Sequence, residues 1–297
     1  MKATHLTLIA CVALLVTSCI KEGYSSDCPG PIEIRYDWNE NQTDVANDSL
    51  NIYIINGNDT LCVGTGSKDA GTDPELDNGV YQVVGSEPAK NVTTHGSTVS
   101  IETLPDGTAT EPEDFHGGAG TLTVDKDHAV NRMDIPMRTQ TRPLGIRVKI
   151  IGETTLTLDK IEGNLSGIAL EREINYGFTP VNGKQRNPAI RNGHIRYTLL
   201  PENPKSFFSQ KTLLGIDGNT EQVLGMNFVL SDGTPMEQTL DVTRQMDEFH
   251  TKDVTEPWII LLTIRLEDDP VSGKVTATIT DWKMGTEDDL IAEEQSN

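Results

Sequence analysis

Residues 144–150 read Leu-Gly-Ile-Arg-Val-Lys-Ile, with an apolar side chain at every second position and Gly145, Arg147 and Lys149 between them. A period of two is the repeat of a β-strand with one buried and one wet face, and it does not fit the 3.6-residue repeat of a helix. The pattern recurs on either side. Ile32, Ile34, Tyr36 and Trp38 alternate with Glu33, Arg35 and Asp37. Leu122 and Val124 sit between Thr121, Thr123 and Asp125, and Val275, Ala277 and Ile279 alternate with Thr276, Thr278 and Thr280. Such one-sided alternation predicts half-buried antiparallel strands. Trp258–Leu266 is apolar on both faces at its start, as a central strand is, and residues 267–273 carry the turn chemistry of a hairpin into the last strand.

Further strands are expected near 50–56, 80–84, 97–103, 155–162, 194–200, 212–216 and 222–231. The one fair helical stretch is 241–252, where Val242, Met246 and Phe249 recur at helix spacing; it predicts one or two turns. Residues 64–79 and 105–120, rich in Gly, Pro and acids, read as loops. The acidic stretch after Trp282 reads as a mobile tail.

The composition agrees with an all-β reading. The chain has 297 residues, 36% of them hydrophobic, with 26 Gly and 15 Pro. That is too apolar for wholesale disorder and too punctuated for a helical bundle. Lys and Arg number 24 against 45 Asp and Glu, a formal charge of −21. A surface so acidic repels duplex phosphates, which excludes a nucleic-acid partner held through a broad basic face. Charge is uneven along the chain: residues 20–138 hold seven basic against twenty-one acidic side chains. The polar run Met137-Arg-Thr-Gln-Thr-Arg-Pro143 then precedes a fresh alternating strand. These features predict two β domains, residues 19–140 and 141–297, each long enough to bury a core.

Residues 1–18 read as a leader. Lys2 supplies a positive start and Leu6–Val16 an apolar run of about eleven residues, too short to span a bilayer. The run ends in Val16-Thr17-Ser18-Cys19, which resembles the lipobox of bacterial lipoproteins. That resemblance implies cleavage before Cys19, diacylglycerol on its sulfur and an acyl chain such as palmitate on its amine, enough chains for stable anchoring. Cys28 and Cys62 then remain in an oxidising compartment, either as one disulfide or as two thiols.

No constellation for catalysis emerges. His116-Gly117-Gly118 resembles the start of an esterase oxyanion loop, but no G-x-S-x-G supplies a nucleophile. Neither H-E-x-x-H nor paired C-x-x-C occurs, so no metal site is expected. Asp73, Glu75 and Asp77 share the spacing that opens a Ca²⁺-binding loop, but Asn78 and Val84 stand where that loop needs its turn glycine and closing Glu. The clusters Glu111/Glu113/Asp114 and Glu267/Asp268/Asp269 read as loop solubilisers. Asp48-Ser49-Leu50 and Asp59-Thr60-Leu61 resemble the acceptor pattern of Bacteroidetes O-glycosylation, which makes Ser49 and Thr60 candidate acceptors. No enzyme, cofactor or metal is expected.

Several short stretches, in order, carry a wider likeness. Cys19-Ile-Lys-Glu with Ser26-Asp-Cys-Pro29, Tyr36-Asp37-Trp38, Met137-Arg-Thr-Gln-Thr-Arg142, Leu165-Ser166-Gly167 and Ile279-Thr-Asp-Trp-Lys-Met-Gly285 resemble the FimB-type fimbrillin-associated anchor lipoproteins of the Bacteroidales. The resemblance implies two tandem transthyretin-like, Greek-key β-sandwich domains behind a lipoprotein signal. It also implies an outer-membrane lipoprotein, facing the cell surface, at the base of a type V pilus. Such a protein anchors the fibre, limits its length and joins a fimbrillin-like subunit by β-strand addition. Stalk subunits of such pili lose an N-terminal segment to a protease that cuts after Arg. Here Arg35 is the only Arg before Arg132, and it lies inside a strong strand. Two other readings stay open: a stalk or tip subunit, and a surface glycan-binding lipoprotein of a polysaccharide-uptake system. Only 5% of residues are aromatic, few for stacking on sugars.

Overall fold

The computed structural model describes residues 32–38, 49–67, 75–125, 127, 131–152, 154–174, 188–247, 249, 257–269 and 274–287. The described residues are nearly all β. A first core is built from β1 (Ile32–Asp37), β2 (Ser49–Asn56), β3 (Asp59–Ser67), β4 (Gly79–Ser86), β7 (His116–Val124), β8 (Asn131–Pro136) and β9 (Arg138–Thr139). Strands β3-β2-β4-β7-β9 form one antiparallel sheet. The alternating side chains Leu50, Ile52 and Ile54 of β2, with Tyr81, Val83, Leu122 and Val124, supply its inner face.

The opposing layer is a pair, β1 against β8, and it is parallel, in register from Ile32↔Asn131 to Asp37↔Pro136. The antiparallel expectation for 32–38 is therefore corrected. Alternation reports which face is buried, not the direction of the neighbour. A parallel pair needs a long crossover, and here the chain between β1 and β8 supplies the facing sheet. Ile32, Ile34 and Tyr36 of β1 and Met133 and Ile135 of β8, followed by Met137, fill the gap between the layers. Three small positions seat the pair. A Cβ on Gly118 would lie 2.2 Å from the Pro136 carbonyl oxygen, one on Gly120 would lie 2.1 Å from Met133 Cε, and one on Gly85 would lie 3.0 Å from the Tyr36 ring. The run His116–Gly120 is thus strand and not loop, and its glycines let β8 approach.

A second, larger sheet follows the order β15-β14-β11-β12-β13-β10-β16-β17. Its strands are β10 (Arg142–Ile151), β11 (Leu158–Glu173), β12 (Arg191–Asn203), β13 (Ser206–Leu213), β14 (Val223–Leu230), β15 (Pro235–Asp241), β16 (Trp258–Asp268) and β17 (Val275–Gly285). β12 pairs with β11 through its first part and with β13 through its last residues, so the sheet turns a corner there. Inward side chains from both arms, among them Ile146, Val148, Ile161, Leu165, Tyr197, Phe228, Trp258 and Leu262, form one core. β10 pairs with β13 antiparallel but with β16 in parallel, a second correction to the antiparallel expectation. The 258–285 hairpin forms as its sequence predicts.

The sheets do not part at residue 140. Strands β5 (Val92–His95) and β6 (Thr98–Ile101) make a hairpin whose second strand pairs with the end of β11, and Val99, Ile101 and Phe115 enter the second core. Other boundaries shift as well. β3 runs through part of the expected 64–79 loop, and the expected strand at 212–216 lies earlier, at β13. Of the helical stretch 241–252, the described residues hold one turn, α1 (Thr243–Met246), and Val242, Met246 and Phe249 are all fully buried. β17 continues past Trp282 to Gly285. No helix among the described residues is long and apolar enough to cross a membrane.

Candidate functional site

Working upward from β1, the N-terminal strand is an integral part of the first core. Ile34 has no exposed surface, and Ile32 and Tyr36 are buried. Burying a side chain of this size contributes about 1.5–3 kcal/mol, so three of them hold the strand firmly. Arg35 lies on the outer face, its guanidinium 2.5 Å from Glu33 Oε1 and half exposed, while its backbone is in register with Asp134. Trp38, just after β1, packs its ring edge-on against His116 at 5.8 Å.

His116 opens a buried polar network between the two cores. Its Nδ1 lies 2.6 Å from Glu87 Oε2, and its backbone N–H donates to the same oxygen at 2.9 Å. Both side chains are almost wholly buried. Nearby, Arg172 on β11 is buried. Its guanidinium donates to the Leu214 carbonyl (2.9 Å), the Glu173 carbonyl (2.9 Å), and the Gln140 carbonyl (2.7 Å) and Oε1 (3.1 Å). Burial pushes this guanidinium down to about 9, still charged at neutral pH. Gln140 Nε2 in turn donates to the Gly117 carbonyl. Ile174 joins Tyr53, Ile55 and Val84 in a small apolar cluster on the far face of the first sheet. Strand β7, the residue after β9 and the end of β11 are thereby fastened together. Sequence reasoning missed this network, because Glu87, His116, Gln140 and Arg172 are scattered along the chain.

The residues singled out from sequence lie elsewhere. Cys19, Cys28 and Asp73 fall outside the described residues, so neither the lipid site, the Cys28–Cys62 pairing nor the acidic Ca²⁺-type loop is placed. The backbone of Cys62 is on β3, opposite Ile54. Ser49 and Thr60 are both exposed, at opposite ends of the β2–β3 hairpin. Among the described residues no group of three or more His, Cys, Asp or Glu could hold a metal ion. The Glu111/Glu113/Asp114 cluster does more than keep a loop in solution. Glu111 accepts from the Thr212 N–H and Lys211 Nζ, Glu113 from the Lys90 N–H, and Asp114 from the Thr141 hydroxyl. These carboxylates tie the stretch before β7 to β13 and its surroundings.

No protein-family model matches the chain, and neither does any curated protein sequence. Solved structures do share its fold. The fimbrial anchor protein Mfa2 from Porphyromonas gingivalis aligns with a TM-score of 0.59 at 10% identity, over 87% of this chain and 98% of that one. A protein provisionally described as an adhesin, from Bacteroides ovatus, aligns with a TM-score of 0.55 at 15% identity, over 73% and 84%. One provisionally described as polysaccharide-binding, from Bacteroides thetaiotaomicron, aligns with a TM-score of 0.53 at 11% identity, over 86% and 98%. At these identities the likeness is one of fold.

Proposed function

We propose that the chain is a surface lipoprotein that anchors a fimbria of the type V kind, acting as a binding protein and not an enzyme. One observation carries the reading: β1, with Arg35 at its centre, is built into the first core as one half of its second layer. A stalk subunit of such a fibre loses its N-terminal segment after an Arg. Cutting after Arg35 here would strip Ile32 and Ile34 from the core, leave Tyr36 as a loose N-terminus and expose the inner face of the first sheet. Arg35 is the first Arg in the chain, so a subunit not cut there offers such a protease no site between Cys19 and β1, and Cys19 lies only thirteen residues upstream of Ile32. In this reading Cys19 carries the lipid in the outer membrane, and the two β-sandwich domains, transthyretin-like in kind, face outward. A fimbrillin-like subunit is joined by strand addition, since strands at the end of a sheet offer backbone N–H and C=O groups to a partner. The shared fold with a fimbrial anchor protein supports the reading.

Cells carrying Cys19→Ala test it. Fibres are expected to be shed into the medium, counted by electron microscopy of cells and supernatant. Fibres of normal number and length retained at the surface of intact Cys19→Ala cells would overturn it.

A further inference from the structure

The outer face of the arm β12-β11-β14-β15 holds a shallow trough of about 400 Å³. Two rungs of outward side chains line it. One runs Thr198–Glu162–Asn227–Glu237 across the four strands, and the next runs Arg196–Asn164–Gly225–Thr239. At about 4.8 Å per strand the rungs span about 14 Å.

Gly225 makes the concavity. It sits inside a central strand, where glycine weakens a sheet. Nothing in the fold requires it: its φ is ordinary, and an added Cβ would meet only the Asn164 carbonyl oxygen, at 3.9 Å. The glycines seating β1 and β8 are each explained by a close neighbour, and this one is not. Its effect is to leave the middle of the sheet face open.

The lining mixes polar side chains with apolar surface, to which Tyr197 and Met226 contribute, and part of the polar set is uncommitted. Glu162 pairs with Lys160 at 2.8 Å and Arg196 with Asp106 at 2.9 Å, but among the described residues Asn164 and Glu237 have no ion pair or side-chain hydrogen bond. Asn227 Oδ1, buried between the two glutamate-bearing strands, accepts no hydrogen bond at all.

We infer that this trough is a binding site for a neutral oligosaccharide. Ionised carboxylates only accept hydrogen bonds, amides both donate and accept, and the guanidinium only donates. Adjacent sugar hydroxyls, each donor and acceptor, match such a mixture. Phosphate or sulfate is disfavoured by Glu162 and Glu237, and a purely apolar ligand would cover Asn164 and the two carboxylates without giving them a hydrogen-bond partner. The site lies on the second core, away from β1, and does not depend on the anchor reading.

The test uses the full-length protein purified in detergent and an array of maltohexaose, mannohexaose, cellohexaose and xylohexaose, with sulfated dextran and polylysine as counter-probes. At least one neutral hexasaccharide is expected to be retained. Gly225→Val fills the trough while keeping or raising the melting temperature, and Asn164→Ala removes one amide. Each is expected to weaken that binding about tenfold or more. Retention of sulfated dextran or polylysine alone, binding to none of the neutral probes, or binding unchanged in Gly225→Val would overturn the inference.

Discussion

Gly118 lies directly beneath the carbonyl of Pro136, so close that a methyl group at residue 118 would come within 2.2 Å of that oxygen. The contact sets the spacing between β7 and β8, and β8 is the partner described for β1. Gly118→Ala must therefore lift the β1–β8 layer. Overpacking of this kind costs about 1–3 kcal/mol, and the obstacle here is backbone, so about 2 kcal/mol or more is expected from urea unfolding. Gly64→Ala on β3, where an added Cβ meets nothing within 4 Å, is the control and should stay within about 0.5 kcal/mol of the parent.

The same seat governs cleavage at Arg35. Its side chain is half exposed, but its backbone belongs to a paired strand. A protease must wait for β1 to leave the core, so cutting follows the population of the opened form. An Arg-specific protease is expected to leave this bond intact in the native protein over times that cut exposed sites. In Gly118→Ala the bond should be cut up to about thirtyfold faster, the population change that 2 kcal/mol brings. Equal rates in the two proteins would show that β1 is not held by this contact.

Arg172 is expected to be among the most sensitive single positions outside the hydrophobic cores. Arg172→Met keeps much of its volume but leaves the carbonyls of Gln140, Leu214 and Glu173 without their donor. The expected loss is about 3–5 kcal/mol, read from chemical unfolding. Because the partners come from both cores, unfolding of the variant should also lose cooperativity between them.

Asp217 gives the protein an acid-side pH dependence. Burial pushes its carboxyl up, but hydrogen bonds from the Thr220 hydroxyl, the N–H groups of Asn219 and Ala189 and the Asn192 amide outweigh it, and hold it below the ordinary carboxylate range. A carboxyl depressed in the folded state contributes stability that is fully present above its unfolded value and is lost as pH falls through the folded one. Asp217→Asn should therefore cost about 1–3 kcal/mol at pH 7. The gap between parent and variant should narrow below about pH 4. A gap that stayed constant down to pH 2 would assign the stabilisation to something other than the carboxylate.

Much of this architecture is legible in sequence, and the exceptions have physical causes. Where one face is wet, as in 32–37, 144–150 and 275–278, alternation marks the strand and its buried residues. At Trp258–Leu262 the doubly apolar run is a central strand, with Ile259 and Leu261 covered on the outer side by Phe208. Direction is not written in alternation, so the parallel pairings of β1 and β10 could not be read. The glycines of β7 carry loop statistics but serve close approach, a property of the partner strand and not of the segment. β15 is missed because an exposed edge strand has no strongly apolar face, its burial alternating only between exposed and partial. The trough joins residues from four strands, and its one local signal is a lone glycine inside an alternating run, Leu224-Gly225-Met226. The Glu87–His116 and Arg172–Gln140 contacts bring distant positions together, and nothing local announces them.

An anchor of the kind proposed holds its fimbria to the membrane through its own N-terminus. The most direct test is gentle detergent extraction of outer membranes, affinity capture of this chain, and mass spectrometry of the chain and its companions. An anchor should show an N-terminus at an acylated Cys19, β1 intact through Arg35, and a fimbrillin-like subunit among the companions. An N-terminus at Tyr36 would contradict the proposal, as would companions consisting of a TonB-dependent transporter and glycan-binding proteins with no pilus subunit.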